Sequence, residues 1–411
     1  MATLAAGAAL LAASNPVPAH VKWFAKCEYS THAPATDVLG KPLFWILLLA
    51  AATAVALLRE LEHTSIGQAL ALRVLRVQQR LAKLRYRVLI CSTIFFLAAV
   101  ATTGNLILTP ELTTQLTAVR WLQALAAIAL FARRGEPVAG VALLALFGIG
   151  LAEYGAFHMI DYLIFLGLAL YFLLPRWPSA TRIRFLRVAA ALSLMWVSVE
   201  KWVFPSWVMQ IVHDHPVITF GFPQKEFVVL AGVVEFVLGF GLMWCGLYSV
   251  VSALILAALM SAAILEFGFV DLVGHIVILG VLLAIALDPL PIGSCSPQTS
   301  RADFPLISSH VRRIAPPPLR PQPPTWSPAV ALLASCAAVL LVYYGIVYTL
   351  HGSGTVAQMA AQAQPIVPTA PARLPKGWKT TMRRSQTAAT AHQSGVPHQS
   401  GSGIRVAEKW H

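Results

Sequence analysis

Residues 227–287 read FVVLAGVVEFVLGFGLMWCGLYSVVSALILAALMSAAILEFGFVDLVGHIVILGVLLAIAL, and hold only Glu235, Glu266 and Asp271 as charged residues. A helix needs roughly 20 apolar residues to cross a bilayer, and this stretch divides into three such runs, Phe227–Leu247, Val250–Leu265 and Leu272–Leu287. Working outward, the same pattern recurs at Phe185–Phe204, Met159–Leu174, Val138–Ala152, Ala118–Ala132, Val88–Leu108 and Leu43–Leu58, and again at Ala329–Leu350. Across all 411 residues, 57% are hydrophobic and 11% charged, whereas soluble domains carry about 25% charged residues. Mean hydropathy is +0.70. The fold class that follows is all-α, a polytopic transmembrane bundle of about ten spans.

Lys and Arg number 30 against 17 Asp and Glu, a formal charge of +13. Such a balance in a soluble chain suggests nucleic acid. Here the basic residues fall between apolar runs, with no interleaved basic and aromatic surface, so no nucleic-acid partner is expected. They act instead as topology markers, because cytoplasmic loops collect Lys and Arg. Arg59 to Arg87, Arg133 and Arg134, Arg176 to Arg187, and Arg301 to Arg320 all fall on one side if the chain starts outside. Both termini are then outside, in the periplasm if the source is Gram-negative, and the chain belongs to the inner membrane.

Residues 1–19 resemble a signal peptide with cleavage after Ala19, leaving His20 first and 20–42 as a periplasmic segment. After the span at 43–58, residues 59–87 read as a cytoplasmic amphipathic helix. Ile66, Leu70, Val74, Val77 and Leu81 recur at helical spacing beside Arg73, Arg76 and Arg80, a pattern suited to anionic lipid. Residues 289–328 form a Pro-rich linker, 329–350 the last span, and 351–411 a polar tail with the composition of disorder. The five cysteines show no CxxC spacing, which argues against a disulfide framework.

The two stretches 88–175 and 185–288 align as tandem four-helix units. Glu153-Tyr154-Gly155 matches Glu266-Phe267-Gly268, and Leu163 to Gly167 then matches Ile276 to Gly280 without a gap. Gln123 aligns with Glu235, and Asn105 falls near the counterpart of Lys201. Four spans per unit leave both copies in one orientation, related by an axis along the membrane normal.

That orientation gathers polar residues toward the outer face. Lys201, Glu235, Glu266, Asp271 and His275 belong to the second unit, and Glu153 and Asp161 to the first. Ionisable groups at membrane depth pair or face a hydrated cavity, so Lys201 is expected to pair with Glu235 or Glu266. Such a pair either only fixes helix packing or marks a ligand site. His213, Asp214 and His215, with Asp271, His275 and the amino-terminal His20, offer zinc or copper ligands in principle. No ligand spacing is defined, and ordinary surface histidines are the favoured reading. No nucleophile elbow, phosphate loop or dinucleotide motif is present.

The segment 185–288 resembles the DoxX family of four-helix membrane proteins. The resemblance lies in Arg184 and Arg187 opening the first helix, Lys201-x-x-x-Pro205 closing it, Glu235-x-x-x-Gly239 in the second helix, and the acidic turn from Glu266 to His275. The first unit departs from it, with Gln123 in place of Glu235 and a residue near Asn105 in place of Lys201. The resemblance implies an integral membrane subunit of a periplasm-facing redox system that contacts quinone or a protein complex, with no catalysis of its own. A transporter of a small solute or metal ion, or a membrane anchor and assembly factor, are the alternatives.

Overall fold

The computed structural model describes residues 33–107, 112–132, 134–244, 246–290 and 328–352. The signal-peptide stretch with His20, the Pro-rich linker and the polar tail lie outside the described residues. Among those described, every regular element is a helix, apart from an isolated bridge between Asn105 and Thr113.

The α-helices are α1 (Ala35–Leu39), α2 (Pro42–His63), α3 (Ser65–Thr103), α4 (Thr117–Phe131), α5 (Glu136–Met159) and α6 (Leu163–Leu173). They continue as α7 (Ser179–Val203), α8 (Pro205–Asp214), α9 (Gln224–Met243), α10 (Leu247–Phe267), α11 (Phe269–Ala286) and α12 (Pro328–Gly352). Ten of them coincide with the apolar runs of the sequence; α1 and α8 are short helices at helix entrances and exits. Among the described residues, six stretches are long and apolar enough to cross a membrane: α2, α3, Glu136–Leu173, α9, α10 and Pro328–Thr349. The remaining runs fall short for separate reasons. Helix α4 has 15 residues, about 22 Å at 1.5 Å per residue against a hydrocarbon core of ~30 Å. Helix α7 carries Arg182, Arg184, Arg187, Glu200 and Lys201. Large apolar side chains point outward along the helices, among them Trp121, Ile128, Phe131 and Leu265. In water such a surface would be an association liability; in a membrane it faces lipid.

The amphipathic segment and the second span are one helix. From Gly67 to Gly104 there is no glycine or proline to stop it, so α3 runs 39 residues, about 58 Å, and its basic half extends well past one bilayer thickness. The break falls earlier, at Thr64, whose hydroxyl accepts from the Gly67 N–H at 3.1 Å and caps α3.

Neighbouring helices pack in sequence order: α3 on α4, α4 on α5, α5 on α6, α6 on α7, α7 on α9, α9 on α10 and α10 on α11. Helix α11 then packs on α3, closing a ring of eight. At that closure Gly280 faces Ser92, and a methyl group on the glycine would sit 2.0 Å from the serine Oγ. Gln78 ties the same two helices at their basic end, donating to the Ala286 carbonyl at 2.8 Å and accepting from the Leu290 N–H at 3.0 Å. Helices α2 and α12 pack on each other outside the ring, against α9 and α7.

Two helix breaks have the same form. Gly155 has φ 80 and ψ 164, and Gly268 has φ 81 and ψ −154. This region of backbone space is essentially restricted to glycine, which explains why the Glu-aromatic-Gly triplets end in one. Helical structure stops 18 residues beyond each glycine, at Leu173 and at Ala286.

Candidate binding site at the Lys201 end of the bundle

Pro205 has no N–H to continue the ladder of α7 and instead opens α8, so Lys201 lies in the last turn of α7. Its ammonium donates to Glu235 Oε2, on the fourth turn of α9. The two side chains are 14% and 20% exposed. Of the two partners open to Lys201 from sequence, the fold selects Glu235; Glu266 is 3.1 Å from His215 Nδ1, whose ring also meets Phe267 edge-on at 4.8 Å.

Beside the Lys201–Glu235 pair lies a cavity of about 350 Å³, bounded by the α1–α2 junction, α7, α8 and α9. Its lining includes Lys41, Lys201, Lys225, Ser206, Phe44 and Trp202. Trp202 is held rigidly. Its Nε1–H donates to the Val229 carbonyl at 3.3 Å, Phe44 packs edge-on to it at 5.0 Å, and Gly232 leaves it room, since a Cβ there would lie 2.2 Å from the indole nitrogen.

Glu200, one residue before Lys201, is fully buried and faces a different neighbour. Successive helical residues are about 100° apart, so Lys201 meets α9 while Glu200 accepts from the Tyr343 hydroxyl of α12 at 3.2 Å. Trp196 lies against Tyr343 at 4.5 Å, and Phe204 stacks on Trp207 at 4.1 Å.

The other sequence candidates are distributed rather than convergent. Asp271 and His275 pair along α11, with Nδ1 at 3.0 Å from both Oδ1 and the main-chain oxygen of Asp271. Both are buried. Glu153 accepts from Thr114 at 3.0 Å, and the main-chain oxygen of Asp161 accepts from Ser193. His158 lies between the rings of Tyr154 and Tyr162. Gln123, at the position aligned with Glu235, donates to the carbonyls of Asn105 and Leu106 at 2.7 and 2.8 Å. It therefore holds the chain reversal after α3. His213 is exposed, and among the described residues no three His, Cys, Asp or Glu side chains come together to hold a metal ion.

The arginine-rich end carries its own polar cluster. Asp288 is bridged by Arg85 and by Arg187, the latter at 3.0 Å. Arg187 also donates to the Trp244 carbonyl and to Ser249, each at 3.1 Å. Burial pushes the Asp288 carboxyl above the usual carboxylate range, while Arg187 and Arg85 pull it back down. Glu136 is held by Arg182 at 3.1 Å and by the Tyr86 hydroxyl at 2.6 Å. Glu62, 2% exposed, accepts from the Tyr248 N–H at 3.0 Å, capping α10 from α2.

Sequence reasoning missed Lys41 and Lys225 as members of this site. A signal for the two lysines is present: each stands just before an apolar run whose entrance is on the same side as the end of α7. Compared with known proteins, the chain matches no family model, no curated protein and no solved structure.

Proposed function

We propose that this chain is a ten-span inner-membrane protein of two parallel, DoxX-like four-helix units, with both termini periplasmic. It serves as an accessory subunit of a periplasm-facing redox system, without catalysis of its own, and contacts quinone. The observation that carries this reading is the way its intramembrane polar groups are engaged. Lys201 with Glu235 joins α7 to α9, and His215 with Glu266 joins the end of α8 to α10, as expected of a scaffold that holds its partners in place. The duplication draws support from the ring. Contact of α6 with α7 and of α11 with α3 makes the last helix of each unit touch the first helix of the other, the reciprocity of a two-fold relation. The matched backbone at Gly155 and Gly268 adds to it. Mild extraction of the full chain from native membranes tests the functional part. Co-purifying quinone or a redox partner is the expected result; a preparation with neither overturns it.

A second reading, a transporter, is favoured by one feature. Helices interrupted at corresponding points of two repeats are a recurring mark of transport sites, and the glycine breaks are of that kind. Solute flux into proteoliposomes containing the chain separates it from the first reading.

A further inference from the structure

We infer that the cavity beside Lys201 binds the phosphate group of an anionic amphiphile, with the apolar part of the ligand lying on Pro205, Met209 and Val229. This goes beyond the redox reading and does not depend on it. Three lysines, Lys41, Lys201 and Lys225, line the cavity, and no Asp or Glu is among its lining residues. Glu235 neutralises Lys201 from behind, which leaves the space facing Lys41 and Lys225 with an excess of positive charge. An ammonium has three donors, so Lys201 keeps donors beyond the one given to Glu235, and Ser206 adds a hydroxyl at the wall. Several point-charge donors around one space suit a compact anion with oxygens on every side, which is the geometry of phosphate.

The rest of the wall is apolar. Trp202 and Phe44, 3% and 1% exposed, form a rigid floor beneath the cavity, and Pro205, Met209 and Val229 keep partly accessible apolar surface along the wall. Lys41 immediately precedes α2, Lys225 lies in the first turn of α9, and Lys201 in the last turn of α7. All three therefore sit at the ends of membrane-length helices, the level at which lipid headgroups meet protein. The volume of about 350 Å³ lies within the range of small-molecule sites, roughly 300–1,000 Å³. That space accommodates a headgroup with the start of its apolar portion.

The chemistry is shared by a phospholipid headgroup and a free phosphate, and titration separates them. The full chain, stripped of lipid in detergent, is titrated with phosphatidylglycerol, with zwitterionic phosphatidylcholine, and with inorganic phosphate, bound species being counted by native mass spectrometry. Phosphatidylglycerol is expected to bind at least tenfold tighter than phosphatidylcholine. In Lys41→Gln/Lys225→Gln that binding weakens by about tenfold, each single variant losing about threefold. Both lysines are solvent-exposed and the Lys201–Glu235 pair is untouched, so these variants keep the fold, which far-UV circular dichroism and a monodisperse elution verify. Inorganic phosphate that binds and displaces the lipid assigns the site to the free anion. Lipid binding that phosphate does not compete assigns it to the headgroup. The inference is overturned if phosphatidylglycerol shows no preference over phosphatidylcholine, or if the double variant keeps parental affinity.

Discussion

Gly268→Ala isolates the energetic cost of a backbone conformation from the cost of crowding. At Gly268 an added Cβ meets nothing within 4 Å, yet φ is +81. Gly148, inside α5, also has open space around an added Cβ, but its backbone is ordinary helix. The two substitutions therefore differ in conformation alone. Holding an L-residue in the glycine-only region costs about 1–3 kcal/mol, whereas glycine to alanine in a helix interior gains up to about 1 kcal/mol. Gly268→Ala should lose stability by about 2 kcal/mol, a factor of roughly 30 in the folded-to-unfolded ratio, while Gly148→Ala stays level or gains slightly. Titration of the purified chain in mixed micelles with sodium dodecyl sulfate, followed by tryptophan fluorescence and far-UV circular dichroism, measures both. Gly155→Ala, with nearly the same φ and a ψ in the same glycine-only region, should also lose stability. The reasoning is refuted if Gly268→Ala unfolds with the parent, or if Gly148→Ala is lowered as much.

Lys201→Ala and Glu235→Ala each strand a charge. Removing one partner of a fully buried pair costs about 3–5 kcal/mol, and partial exposure here lowers the expectation to about 2 kcal/mol. The double variant should lose less than the sum of the singles in the same titration; strict additivity would show that the pair contributes nothing. Gln123→Leu removes both donors from the Asn105 and Leu106 carbonyls and should cost about 1–3 kcal/mol. Faster amide hydrogen exchange confined to the stretch around residues 104–116 is the signature to look for. Asp288→Ala leaves Arg85 and Arg187 facing each other without their shared carboxylate and should lower stability by about 2 kcal/mol. Restoration by Arg85→Gln in the same chain, read from the unfolding midpoint, separates charge imbalance from lost packing.

Helix positions were legible because apolar runs of membrane length are a local signal, and each of the ten runs became a helix. The register of the two Glu-aromatic-Gly triplets was equally legible, since glycine marks a local backbone requirement. What escaped was non-local or depended on the absence of a signal. Helix α3 looked like two segments because its composition changes near Arg87, but composition does not end a helix; only a breaker does, and none is there. Lys201 could be placed at the right depth, yet the choice between Glu235 and Glu266 depends on which helix packs beside α7. The cavity lysines come from positions 41, 201 and 225, and only the packing of α2 against α9 brings them together. Gln123 matched Glu235 in alignment and does different work, because its partners are main-chain carbonyls that no side-chain pattern reveals.

The closure of α3 by α11 has a consequence for biogenesis. Helices enter the membrane in the order of synthesis, and α3 is the first of the eight ring members while α11 is the last. Any nascent chain shorter than residue 269 leaves the face of α3 that bears Gln78 and Ser92 without the partner that covers it. During that interval the seam is open to the α11 segment of a second copy, because the chain's own α11 has not yet been made. Domain exchange between copies would take place across this seam, where Gly280 fits closely on Ser92.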